Sequence, residues 1–244
     1  MRRMVSKRFP RESRRVKGMG PIQETHVTDT SVDPTSLDLA ALLCSRLCHD
    51  LLSPVGAMSN GLELLAEERD PEMRKRCMEL LEQSAKASAD KLNFFRLAFG
   101  GASGFDYAVP VDEARSVIDA LVAGNERIAI AWNLGVDALP KPAVKVMLNL
   151  AHIGIEALVR GGTLDIGVES RGGASEIVVR AAGPKIAFDK DVGRALDGSL
   201  PIADLSSRTA PAWMLCQLAA QQGGGLQFAL SDEALVMGAV LPEV

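Results

Sequence analysis

No apolar run in the 244 residues approaches the roughly 20 needed to cross a bilayer, and the first residues lack the apolar stretch of a secretory signal. A membrane partner is therefore not expected, and the cytoplasm is the expected compartment. Cysteine is sparse: Cys44, Cys48, Cys77 and Cys216 fall at none of the spacings of zinc ribbons or fingers. A disulfide framework is not expected in a chain of this size and setting, so the four read as reduced core thiols. Cys44, Cys48 and His49 lie close together, but no second pair of soft ligands follows and no metal site is expected. Internal repeats are also lacking.

What the chain has in quantity is apolar residues, 47% of the total, enough to bury a core in one large domain or two small ones. Charge is unevenly placed. The opening "MRRMVSKRFPRESRRVKG" carries a surplus of seven positive charges in a chain of net −4, which leaves the remainder near −11. Residues 1–32 read as a basic, disordered extension, with an arm for nucleic acid or an anionic surface as the alternative. A disordered extension is expected, with no nucleic-acid partner.

Beyond a Thr-rich spacer, "SVDPTSLDLAALLCSRLCHDLLSPVGAMSNGLELLAEE" places apolar residues at helical spacing, with Asp33 or Ser36 as cap, and predicts one long helix over about 35–68. A second helix follows, with Asp70 as cap, Pro71 in its first turn, and Gly100 and Gly101 ending it. So short a connection folds the two into an antiparallel hairpin, a domain spanning 33–101. Two helices cannot enclose a core, so a second copy is expected to complete a four-helix bundle in a homodimer. After the small-residue break "GGASGFD" the texture changes. Residues 105–244 predict strands at about 127–134, 163–169, 175–182, 226–230 and 235–241 and helices at 111–123, 140–160 and 208–222. The expected class is α+β: a helical hairpin followed by an α/β sandwich.

At about 100° per residue, Leu43, Leu47, Leu51, Val55, Met58, Leu62 and Leu65 form one stripe, about 120° wide, that faces the bundle. His49 lies on the opposite side, with Ser45, Arg46, Ser53, Gly56 and Asn60 nearby, so its imidazole should stand in water. A lone surface histidine is commonly a plain solvated residue. Here Asp50 can hold one ring nitrogen as N–H and leave the other as an exposed basic lone pair, the state an attacking nucleophile needs. Ser53 and Gly56 keep the surface low, and Arg46 can meet a phosphoryl oxygen or a partner carboxylate. Pro54 removes a backbone donor and can bend the helix. Arg46 and Asn60 as a simple solvated face is the competing account.

In "LCHDLLSPVG", His49, Asp50 and Pro54 resemble the H-box of dimeric sensor histidine kinases, although Leu52 stands where that motif carries a basic residue. "VMLNLAHIGIEALVRGGTLDIGV" is similar to the kinase N-box helix, with Asn149 at the first asparagine and Ile153 at the second. "IVVRAAGPKIAFD" resembles the adenine-binding box with Ala181 in place of its aspartate and Lys185 in place of its second glycine. "RTAPAWMLCQLAAQQGGGLQF" resembles the last helix, with Thr209 and Pro211 where glycines would let backbone amides approach phosphates. A hairpin with a histidine box joined to a kinase-like domain without its ATP ligands resembles the ChpT family, histidine phosphotransferases of alphaproteobacterial phosphorelays. The resemblance covers about 35–244.

The resemblance implies phosphotransfer without ATP: His49 accepts a phosphoryl group from a receiver-domain aspartate and passes it to the aspartate of another response regulator. Asp50 sets the tautomer, and Arg46, Ser53, Gly56 and Asn60 form the receiver interface. The implied upstream partner is the receiver domain of a CckA-like hybrid histidine kinase, and the downstream ones are response regulators resembling CtrA and CpdR. No cofactor is implied for this chain, because magnesium comes with the receiver. The alternatives are an ATP-dependent autophosphorylating histidine kinase and a non-catalytic receiver-binding adaptor.

Overall fold

Residues 34–100 and 108–243 are described in a computed structural model. The basic extension, Asp33 and residues 101–107 lie outside them, and so do the expectations attached to them. Helix α1 (Pro34–Glu67) and helix α2 (Pro71–Phe99) are joined through Glu68, Arg69 and Asp70. That turn is closed from both sides. The Asp70 carboxylate accepts the Glu72 N–H at 3.4 Å, while Arg74 Nη1 donates to the carbonyls of Leu65 and Glu68 at 2.9 Å each. Gly61, buried on α1, lets the helices come close, since a Cβ there would lie 3.0 Å from Leu81 Cδ2.

The α1 face turned inward within the protomer covers most of the expected stripe. Pro54 and Gly61 are its buried residues, flanked by half-buried Leu43, Leu47, Leu51, Met58 and Leu65, whereas Val55 (49%) and Leu62 (59%) are exposed in the protomer. Both belong to the stripe expected to face a four-helix bundle, which needs a second hairpin to cover them, so their exposure in one protomer does not contradict it. The expectation of four core thiols needs correction: Cys77 is buried and Cys216 half-buried, but Cys44 and Cys48 are exposed. They share the outward side of α1 with Val55 and Leu62.

The second half runs β1 (Ala108–Pro110), α3 (Val111–Val122), β2 (Ile128–Leu134), β3 (Ala138–Pro140), α4 (Lys141–Ala157), β4 (Gly162–Arg171), β5 (Ala174–Ala182), α5 (Lys190–Leu196), a 3-10 turn at Ile202–Asp204, α6 (Ala210–Gln221), β6 (Gly225–Leu230) and β7 (Ala234–Pro242). The main sheet has the order β2-β4-β5-β7-β6, parallel between β2 and β4 and antiparallel elsewhere, and β1 pairs with β3 in a separate two-stranded ribbon. Alternation along the strands separates the faces. Leu164, Ile166, Ile177, Val179, Leu235 and Met237 point to the helices and are fully buried, while Asp165, Val178 and Arg180 face outward. The fold is thus a helical hairpin followed by a mixed α/β sandwich. The ribbon and α5 were not expected; three- and seven-residue elements are too short to display a period.

Helix α4 is packed on two sides. Its Met147, Leu148, Leu150 and Ala151 are buried, and at Gly154 a Cβ would lie 2.6 Å from Leu164 Cδ1, so this turn presses against the sheet. On its other side α4 meets α2, whose Phe94 (1% exposed) lies 4.8 Å from the His152 ring between centroids. Phe95 and Phe99 stack at 5.6 Å beside it. Burying each such ring contributes about 1.5–3 kcal/mol, which anchors the hairpin to the sandwich.

Candidate functional site

Where α1 passes α4 and α6, its polar residues meet groups from the sandwich. His49 is 81% exposed, and its Nδ1 lies 3.2 Å from Asp50 Oδ1. The other carboxylate oxygen of Asp50 accepts from Arg46 Nε at 2.7 Å, and Arg46 Nη2 also donates to Glu156 Oε1 on α4. Asp50 and Arg46 are themselves largely covered, 14% and 12% exposed. One guanidinium therefore holds two carboxylates, one from each half of the chain.

Burial raises the Asp50 pKa, but hydrogen bonds from Arg46 and His49, with the charges of Arg46 and His152, outweigh it and hold the carboxyl below its ordinary value. Burial likewise lowers the Arg46 pKa, and Glu156 and Asp50 more than restore it. Asp50 is thus an ionised acceptor at neutral pH. An acceptor-only carboxylate can pair only with a protonated Nδ1, so in a neutral imidazole this contact selects the tautomer whose lone pair is on Nε2.

Pro54 contributes through the backbone. It has no N–H, so the Asp50 carbonyl four residues earlier lacks its helical donor, and Lys91 Nζ on α2 donates to that oxygen at 2.7 Å. The residue beside His49 is therefore held by both its side chain and its main chain. His152 on α4 lies beneath this arrangement. Burial, the largest influence, and the charges of Arg46 and Lys91 lower its pKa, Glu156 and Asp50 raise it, and the balance is downward.

A groove of about 450 Å³ opens over this assembly, lined by Arg46, His49, Asp50, Glu156, Ser207 and Arg208. Of the residues singled out from sequence, His49, Asp50 and Arg46 come together here. Arg46 is turned inward onto carboxylates and does not stand free on the surface. Ser53 and Asn60 are exposed farther along α1, outside the groove, and a Cβ at Gly56 would meet nothing within 4 Å. Sequence reasoning missed Glu156, Lys91, His152 and Arg208. Only His152 and Glu156, one helical turn apart on α4, carried a local signal: two ionisable groups in an otherwise apolar stretch.

Three positions of the kinase-like boxes, Asn149, Ile153 and Ala181, are packed into the interior. Asn149 (2% exposed) donates from Nδ2 to the carbonyls of Lys145 at 2.9 Å and Ala98 at 3.4 Å, tying α4 to the end of α2. Ile153 and Ala181 are buried apolar side chains, and Ala181 packs near Gly154. Among the described residues no group of three or more His, Cys, Asp or Glu is placed to hold a metal ion, and no helix is long and apolar enough to cross a membrane.

Residues 111–234 match the family model for the histidine phosphotransferase C-terminal domain. Over 205 residues the chain is 32% identical to the protein phosphotransferase ChpT of Brucella abortus (strain 2308), covering 84% of this chain and 96% of that relative. A solved bacterial phosphotransferase is 31% identical and superposes with a TM-score of 0.73, over 84% of this chain and 96% of that one. The histidine kinase AdeS of Acinetobacter baumannii superposes with a TM-score of 0.44 at 11% identity, over 80% of this chain and 97% of the kinase.

Proposed function

From the premise that the chain belongs to the ChpT family of histidine phosphotransferases, we propose that His49 is the residue through which it acts, in a relay between receiver domains. The carrying observation is the exposed imidazole whose Nδ1 is held by a carboxylate that is itself locked by Arg46. A receiver bearing an aspartyl phosphate docks over His49. The Nε2 lone pair attacks phosphorus, the bond from phosphorus to the aspartyl oxygen breaks, and its electron pair returns to the receiver's carboxylate. The Nδ1 proton stays on the ring, shared with Asp50, so the phosphoimidazolium is neutralised as it forms. Reversal onto a second receiver's aspartate completes the relay.

Positioning and charge stabilisation carry this chemistry, and magnesium belongs to the receiver. Nucleotide is not required in this reading, which the buried Ile153 and Ala181 support, since an adenine reader and a phosphate cradle need polar groups there. Ser53, Gly56 and Asn60 extend the docking surface along α1, and Arg46 serves it as a positioning residue. The partners are the receiver of a CckA-like hybrid kinase and regulators resembling CtrA and CpdR, in the cytoplasm.

The protein works as a homodimer. Leu37, Val55 and Leu62 form an exposed line on α1 that continues through Cys44 and Cys48, an apolar face suited to a second hairpin in a four-helix bundle. The test is uptake of labelled phosphate by the purified chain from a phosphorylated receiver and, separately, from ATP. Label from the receiver alone, lost in His49→Ala, supports the assignment. Label from ATP would make the protein a kinase, and tight receiver binding without any uptake would make it an adaptor.

A further inference from the structure

The two arginines of the groove are not equivalent. Arg46 is engaged by two carboxylates, Asp50 and Glu156, and is 12% exposed. Arg208, just before α6, is 65% exposed, and its ion pair is a single 3.3 Å contact from Nε to Asp189 Oδ2. Both line the groove that His49 enters.

Phosphorylation adds close to two negative charges and three acceptor oxygens to a site that already holds Asp50 and Glu156. Arg46 is committed to those two carboxylates, so a phosphoryl group on Nε2 must find its counter-charge elsewhere. Arg208 is the other cation of the groove. A guanidinium offers a planar fork of donors matched to phosphoryl oxygens, and its Nη donors are left over when Nε faces Asp189. Ser207 lines the same wall and can supply a hydroxyl donor.

Resting on the assignment of His49 as phosphoacceptor, we propose that Arg208 contacts the phosphoryl oxygens during transfer and in the phosphohistidine, making the start of α6 a catalytic part of the site. The sandwich then supplies a direct electrostatic contribution to the chemistry of the hairpin. Arg208 forms and breaks no bond. It neutralises charge while phosphorus moves between the aspartyl oxygen and Nε2.

The test compares wild type, Arg208→Ala, Arg208→Lys and His49→Ala as full-length proteins. His49 is charged with phosphoramidate, a small donor that needs no receiver, and the phosphoryl group is titrated by phosphorus NMR. Loss of Arg208 is expected to raise the phosphoryl titration midpoint by roughly half a pH unit, the size of an exposed ion pair, with partial recovery in Arg208→Lys. Uptake from a phosphorylated receiver should fall on the order of tenfold in kcat, with melting temperature unchanged. An unmoved midpoint overturns the proposal, including the case in which only the KM for receiver rises, because Arg208 would then act in docking alone. Equal labelling of His49→Ala and wild type would instead remove the premise.

Discussion

Lys91 donates a 2.7 Å hydrogen bond from α2 to the main-chain carbonyl of Asp50, the oxygen that Pro54 leaves without a helical donor. The proline of the histidine box thus creates a vacant acceptor next to His49, and the hairpin partner fills it. Helix α1 remains continuous through this point.

This arrangement predicts coupling. Lys91→Met leaves a partly covered carbonyl unpaired and should cost about 1–3 kcal/mol of stability. Pro54→Ala restores the helical donor, so the same lysine change made in that background should cost much less. A denaturant double-mutant cycle measures the difference, and additive effects would show that the two residues are independent.

Asp50→Asn should slow phosphoryl uptake by roughly tenfold to a hundredfold, the worth of a hydrogen bond to a charged group, because the amide no longer fixes the Nδ1 proton or neutralises the phosphoimidazolium. Glu156→Gln leaves Asp50 in place and should have the smaller effect. Single-turnover transfer from a labelled receiver separates them; a larger loss in the Glu156 variant would contradict the assigned roles.

Acid sensitivity should appear in two windows. His152 has a lowered pKa when folded, so its contribution is fully present above the unfolded value near 6.5 and is lost as pH falls through the folded one. Asp50 is also lowered; its contribution is present above about 3.9 and is lost as pH falls through its depressed folded value. Melting temperature recorded against pH should therefore be flatter below about pH 6.5 in His152→Gln than in wild type. Parallel curves would assign the sensitivity to other groups.

The faces of α1 predict opposite outcomes for similar substitutions. Val55→Asp with Leu62→Asp alters residues exposed in the protomer and should yield a folded monomer by light scattering. Leu47→Asp places a charge against the core and should lower the melting temperature sharply. A dimer that survives the first pair would move the interface to another surface.

Gly154→Ala tests the seat of α4. Its new methyl would meet Leu164 in a fully buried layer, and overpacking of this kind costs about 1–3 kcal/mol. Equilibrium unfolding reads it directly, and an unchanged midpoint would mean that the layer yields freely.

Much of this was legible beforehand because the signals were local. The spacing of apolar residues located both long helices, Asp70 and Pro71 marked the turn, and strand alternation located the five strands of the main sheet. His49 and Asp50 are adjacent, so their contact needed no fold to be foreseen. The contact between Arg46 and Glu156 spans 110 positions, and nothing near either residue announces it. Arg46 therefore read as a surface cation. Arg208 was hidden for the same reason: only the packing of α1 against α6 brings it to the histidine.

Because Arg46 clasps a carboxylate from each half of the chain, the histidine's surroundings are a joint product of hairpin and sandwich. Modularity is lost as a result. A hairpin exchanged between paralogues would bring its nucleophile but arrive without the acid on α4 that seats it, and a sandwich exchanged alone would offer that acid to a foreign arginine. Variation in the two halves is thereby constrained to proceed together, whereas exposed residues of α1 outside this contact, such as Ser53 and Asn60, escape that constraint.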